Sequence, residues 1–313
     1  MKSVSSIRTE PRWLRITLIA IAVLFLTIML FIPLLAVFSE ALAQGWDLYV
    51  ASLTDPEAQS AIWLTLKITA IVVPINAILG LAIAWLITHF DFRGKQFISG
   101  LLDMPFAVSP VVAGLMFILV FGTNTLLGSW LEAHQMQIIF AVPGMVLATM
   151  FVTFPFVARE LIPLMQSQGN VDEQAALVLG ASPWQMFRKV TLPNIRWALL
   201  YGIILTNARA MGEFGAVSVV SGHIRGQTNT LPLLIEIAYD EYNIVGAFAA
   251  ASLLAMLALF TLLLQNLLSY LQQRRQDKVP QVLTKTSPKS ATAAASATKP
   301  SRANQLAGVK YEY

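Results

Sequence analysis

The chain has no cysteine among its 313 residues. That excludes a disulfide framework, a thiolate metal site and a cysteine nucleophile. Charge is also scarce: only 12% of the residues are Asp, Glu, Lys or Arg, against about a quarter in an ordinary soluble domain. The length suits one large domain or two, but too few charges remain to coat a soluble surface of that size. Histidine is limited to His89, His134 and His223, all expected in loops, and no H-E-x-x-H run occurs. No G-x-x-x-x-G-K-[ST] run occurs either; the nearest fragment is Arg93-Gly94-Lys95-Gln96, so this polypeptide cannot hydrolyse ATP by a P-loop. With no serine or aspartate pair evident in the apolar runs, an intramembrane enzyme lacks its usual residues.

What the sequence does have is apolar length: 56% of its residues are hydrophobic. Six runs stand out, at about 14–38, 61–88, 97–121, 138–158, 197–221 and 244–270. Each reaches the roughly 20 residues that cross a ~30 Å hydrocarbon layer. A span must satisfy its own backbone hydrogen bonds, so these read as an all-α integral membrane bundle. Prolines 33, 74, 105, 110, 143 and 155 lie in these runs, and neighbouring helices can supply the partners they lack. The first run has a rival reading as a signal peptide, with Arg8, Arg12 and Arg15 before it and Ala41-Leu42-Ala43 after it. Its apolar core, however, exceeds the ~7–15 residues of a signal core, which favours a retained helix.

Lys and Arg in the connections set the orientation. Segments 39–60 and 122–137 contain neither, and 222–243 contains only Arg225. Residues 1–15 hold Lys2, Arg8, Arg12 and Arg15; 89–96 hold Arg93 and Lys95; 159–196 hold Arg159, Arg188, Lys189 and Arg196. The expectation is a cytoplasmic N-terminus at 1–13, a membrane domain over 14–270 and a cytoplasmic C-terminus. The tail 271–313, rich in Ala, Ser, Thr, Lys and Pro, is expected to be disordered. The net charge of +4 is therefore an orientation signal: the outer segments carry eight acids against Arg225. Such a face weakly repels an anion, which favours delivery by a carrier protein.

The longest cytoplasmic connection is 159–196. Asn170 is placed to cap a helix with Glu173 at its third position, and Gly180 suits the left-handed position after that helix. Ser182 caps again, followed by Pro183 and by Gln185 at the third position; this second helix should end before Pro193. Ala175, Ala176, Leu179, Trp184 and Phe187 would form an apolar face. An interfacial hairpin on the bilayer is the alternative, although the Lys/Arg-rich polar face typical of one is missing.

The run QAALVLG (174–180), nine residues, then VTLP (190–193) resembles the "EAA" loop of ABC importer permeases. Ala175, Ala176, Gly180, Leu192 and Pro193 match the pattern; Gln174 stands where the family has glutamate, with Glu173 beside it. DMPFAVSPVVAG (103–114) and NARAMGEFGAVSVVSGHIRGQT (207–228) further resemble the sulfate/thiosulfate permeases of the CysW type. The resemblance covers about 12–270. It implies a type I importer permease in the bacterial inner membrane, moving an oxyanion by alternating access. The implied partners are a CysT-type permease, a CysA-type ATPase dimer carrying ATP and Mg, and a periplasmic sulfate or thiosulfate binding protein. It further implies a surrounding lipid bilayer, no nucleic-acid partner, and docking of the 170–193 loop on the ATPase. An ion-coupled secondary anion transporter is the alternative, but no convincing internal repeat is present.

Four ionisable residues fall inside the spans: Lys67, Asp103, Arg209 and Glu213. Each costs about 2.5–3.5 kcal/mol at a helix centre on insertion scales. Lys67 is near enough to its helix end to snorkel. Asp103, beside Pro105, can meet water or cap a broken helix. Arg209 and Glu213 are four apart and can neutralise each other; with Asn207 they either hold the bundle together or line and gate a substrate path, to which Asp103 is assigned as well. In 222–243, two readings stand for Gly222, His223, Arg225 and Gly226: an exposed turn, or a backbone cradle with an arginine for an oxyanion. Residues 231–238 suit a short re-entrant or interfacial helix.

Overall fold

The computed structural model describes residues 11–276. Its helices are α1 (Arg12–Leu42), α2 (Trp46–Thr54), α3 (Pro56–His89), α4 (Lys95–Ala107), α5 (Pro110–Phe121), α6 (Leu126–Ala133) and α7 (Val142–Thr153). They are followed by α8 (Pro155–Gln168), α9 (Val171–Val178), α10 (Pro183–Met186), a π-helical turn (Phe187–Thr191), α11 (Leu192–Met211), α12 (Gly215–Ser221), α13 (Leu231–Asp240) and α14 (Ile244–Gln276). No strand occurs among the described residues. Among the described residues, 11–269 belong to one compact unit. The expected disordered tail lies outside the described residues, except that 271–276 continue α14 as helix.

Among the described residues, four stretches are long and apolar enough to cross a membrane: Trp13–Leu42, Pro56–His89, Val142–Gln168 and Ile244–Leu267. The runs expected at 97–121 and 197–221 are not single straight helices. The first bends by 109° between α4 and α5, and the second by 51° between α11 and α12. Proline contributes to the first break: the Pro110 ring disfavours helical backbone at Ser109, whose ψ is 135°, and Val108 before it is extended too, ψ 131°. By contrast, Pro33 and Pro74 sit inside unbroken helices. The fourth span is shifted: α7 and α8 carry it to Gln168, so the connecting loop begins later than residue 159.

The bundle centres on α3, α7, α8, α11 and α12. One core joins Ile68 and Val72 of α3 to Met145 and Ala148 of α7, Val217 and Val220 of α12 and Leu233 of α13. A second joins Ala84 of α3 to Val157, Leu161 and Met165 of α8 and Ile195 of α11. Without a hydrophobic drive between helices in lipid, small residues permit close approach. Gly80 does so here, since a Cβ on it would sit 2.7 Å from the Val157 Cβ. One polar link crosses this interior: the Asn76 amide donates to Thr153 Oγ1 at 2.8 Å and to the Met150 carbonyl at 3.2 Å. The most apolar window of α1 has no buried residue.

Candidate functional site

The loop between α8 and α11 folds into two short helical pieces meeting at Gly180, whose φ of +88° is the left-handed corner expected of it. Ser182 and Gln185 form the reciprocal capping box, 3.3 Å and 3.1 Å in its two directions. Two expectations fail. Asn170 caps nothing with its side chain, its ψ of 12° being away from the extended backbone that a capping residue adopts. The second piece also does not stop before Pro193. A π-turn over Phe187–Thr191 leads straight into α11, where Pro193 falls in the first turn and its missing N–H costs nothing.

Glu173 completes no cap because its carboxylate is turned into the protein. Oε2 lies 2.6 Å from His89 Nε2, and Oε1 accepts from Thr191 Oγ1 at 2.5 Å. Glu173 is 9% exposed. His89 is the last residue of α3 and not a loop residue; its Nδ1 is 2.8 Å from Thr88 Oγ1, and its ring stacks on Trp85 at 4.2 Å. Asp172 accepts from the Asn194 amide at 3.3 Å, a second tie from α9 to α11. Gln174, Ala175 and Gly180 face solvent and Ala176 is half-buried. Leu192 is half-buried and Pro193 exposed. Around Gly180, Val178 (86%), Leu179 (87%) and Trp184 (68%) are exposed, an uncovered apolar patch. Neither His89 nor Thr191 was visible as a partner of Glu173 in the sequence: one is 84 residues away and the other 18.

The charges expected on one helical face are arranged differently. Arg209 lies in the last turn of α11, while Glu213 lies in the break before α12. Their ion pair is 2.7 Å long, and Glu213 is 2% exposed. The other carboxylate oxygen accepts from the Ala216 amide at 3.0 Å, so Glu213 caps α12 as well as neutralising Arg209. Asn207 donates to Met211 Sδ at 3.5 Å. Asp103 is not with them and does not cap a helix end. It sits within α4 and binds Arg159 of α8 at 2.7 Å, under a guanidinium that lies over the Phe106 ring. Lys67 is exposed on α3, in keeping with a side chain reaching out of the bundle.

At the opposite end of α3, Gly222, His223 and Gly226 all have positive φ. Arg225 is held between Glu57, at 3.3 Å, and Glu241. His223 Nε2 stands 3.6 Å from Glu236. Arg225 and His223 thus both face carboxylates, which an incoming oxyanion would have to displace. The segment after them is not a surface turn: Thr228 to Leu233 are buried, the Leu231 amide donates to Thr65 Oγ1 at 2.8 Å, and α13 starts inside the core.

The family model for the binding-protein-dependent transport system inner membrane component matches residues 76–277. The chain belongs to that family. Within it, the sulfate transport system permease protein CysW of Escherichia coli (strain K12) is 53% identical over 269 residues, spanning 86% of this chain and 92% of that one. The protein of that name from Synechocystis sp. (strain ATCC 27184 / PCC 6803 / Kazusa) is 51% identical over 251 residues, 80% and 91% of the two chains. This permease also superposes on a bacterial ABC transporter involved in the import of the acidic polysaccharide alginate. The TM-score is 0.68 over 84% of this chain and 96% of that one. At 15% identity that likeness shows the fold alone. A second structure of the alginate transporter, TM-score 0.68, is of a complex with an alginate-bound periplasmic protein.

Proposed function

We propose that this chain is the CysW-type permease subunit of an ATP-driven sulfate importer. The observation that carries this is the 53% identity with the Escherichia coli CysW over nearly the whole permease, supported by a loop that presents an exposed apolar patch around Gly180. Thiosulfate fits the same reading as a second oxyanion. In it, the four straight spans and the two bent pairs make six crossings, with both termini cytoplasmic because the Lys- and Arg-rich connections lie on one side. The membrane is the bacterial inner membrane, and α1 turns its bare apolar surface to lipid or to a CysT-type partner permease. Broken spans alone would also suit an ion-coupled carrier; the family membership favours the ATP-driven machine.

The chain lacks a P-loop, so nucleotide and Mg belong to a CysA-type ATPase dimer, and residues 170–193 are the element that ATPase moves. Leu179, Val178 and Trp184 are the side chains that would enter its groove, with Gln174 and Ala175 alongside. Gln174 leaves the outer surface of α9 without the family's glutamate, and Glu173 does not replace it, because its carboxylate is engaged inward with His89 and Thr191. A periplasmic binding protein delivers the oxyanion to the acidic outer end. The break at 212–214, with Arg209, Glu213 and Asn207 around it, is the gate. Co-expression with the three partners and measurement of labelled sulfate uptake into proteoliposomes with ATP inside and outside tests the assignment. Uptake that needs no ATPase would overturn it.

A further inference from the structure

Two separate chains of contact lead from the exposed face of the loop to one place, the C-terminal turn of α3. The first is polar. Glu173, in the first turn of α9, reaches His89 at 2.6 Å with one oxygen and Thr191 at 2.5 Å with the other. The second is aromatic. Trp184, 68% exposed, stacks on Phe187 at 5.7 Å; Phe187 meets Trp85 edge-on at 5.3 Å; and Trp85 stacks on His89 at 4.2 Å. His89 closes both routes. The covalent path from the loop runs elsewhere, through the π-turn into α11.

We infer that Glu173 and His89 form a latch that makes the coupling loop and the end of α3 move as one body, so that α3 as well as α11 is driven when a partner acts on the loop. Glu173 is thus a positioning residue, acting through His89, and not a contact to the ATPase. The geometry favours a rigid joint over a sliding one. Both carboxylate oxygens are engaged from two different elements, the group is almost wholly buried, and hydrogen bonds to a charged group are the stronger kind. The stacked Trp85 ring fixes the plane of the imidazole, and the Thr88 hydroxyl holds its far nitrogen. This inference rests on the reading of 170–193 as the ATPase-driven element.

The absence of cysteine from this chain allows a direct test in the assembled four-component complex, with any cysteines of the partners replaced. In the double variant His89→Cys/Glu173→Cys the latch is gone, and a short bis-methanethiosulfonate reagent can restore a link across the same gap. The readout is sulfate moved per ATP hydrolysed. A part that only holds the fold together would lower uptake and hydrolysis in step. The expected result is a fall of at least fivefold in that ratio for the reduced double variant, with hydrolysis retained, and recovery of at least half the wild-type ratio on cross-linking. An unchanged ratio before cross-linking, or uptake abolished by the cross-link, overturns the latch. If the double variant does not assemble, Glu173→Gln is measured instead. It keeps the acceptor for Thr191 but loses the charge facing His89, so a lowered ratio supports the latch and a wild-type ratio overturns it. Failure of the unmodified complex to couple uptake to ATP would instead reject the underlying reading.

Discussion

Arg209 and Glu213 meet at 2.7 Å across a break in the backbone, with the carboxylate also closing the first turn of the helix that follows. One side chain therefore carries two jobs: it neutralises the half-buried Arg209 guanidinium and it caps the first turn of α12. Removing these jobs one at a time separates them. Glu213→Gln keeps an oxygen for the Ala216 amide but unpairs Arg209, and should cost about 1–3 kcal/mol. Glu213→Ala loses both and should cost about 1 kcal/mol more. Melting of the purified complex in detergent should therefore rank wild type, Gln, Ala. If the pair also gates, sulfate uptake by the Gln variant falls well below what its remaining folded fraction explains.

Helix contact at Gly80 gives a packing prediction. With Val157 Cβ only 2.7 Å from where a Cβ would stand, Gly80→Ala forces α3 and α8 apart and should destabilise by about 1–3 kcal/mol. Val157→Gly, which removes the Cβ that the new methyl would meet, should return part of that loss when made in the same chain. A double-mutant cycle on melting temperature measures the recovery; purely additive losses would mean the two helices do not meet there.

Asn76 is fully buried and bridges α3 to α7 through Thr153 and the Met150 carbonyl. Replacing it with Leu removes both hydrogen bonds and leaves a buried carbonyl without that donor. Interhelical hydrogen bonds in membranes average about 0.6 kcal/mol and reach about 1.7. A loss within that range is expected in the same melting assay, together with little change in uptake per folded complex.

Sequence patterning was sufficient for the apolar runs, the glycine corner at Gly180 and the capping box at Ser182, because each rests on residues a few positions apart. It was insufficient where distant residues decide. Apolar run length says nothing about a bend, so the breaks after Ala107 and Met211 were hidden, although Ser109-Pro110 carried a local hint of the first. An i,i+4 spacing suggested Arg209 and Glu213 share a helix face. They do pair, but across the break between α11 and α12, where Glu213 also holds the Ala216 amide. Asp103 was grouped with them by its charge alone, and only the fold brings Arg159 to it from α8. Glu173 is the clearest case: its sequence position suggested a cap, and its carboxylate instead meets His89 at the far end of another helix.

The central claim is that an ATPase drives sulfate import through the exposed face of the 170–193 loop, and Leu179 tests it most directly. The side chain is 87% exposed, so Leu179→Asp leaves the permease's own packing untouched while placing a charge in the docking surface. Labelled sulfate uptake by reconstituted complexes, with the melting temperature of the isolated permease as control, is the measurement. The account predicts uptake reduced at least tenfold with an unchanged melting temperature. Wild-type uptake by the Asp variant, or uptake by the wild-type complex without ATP, would contradict it.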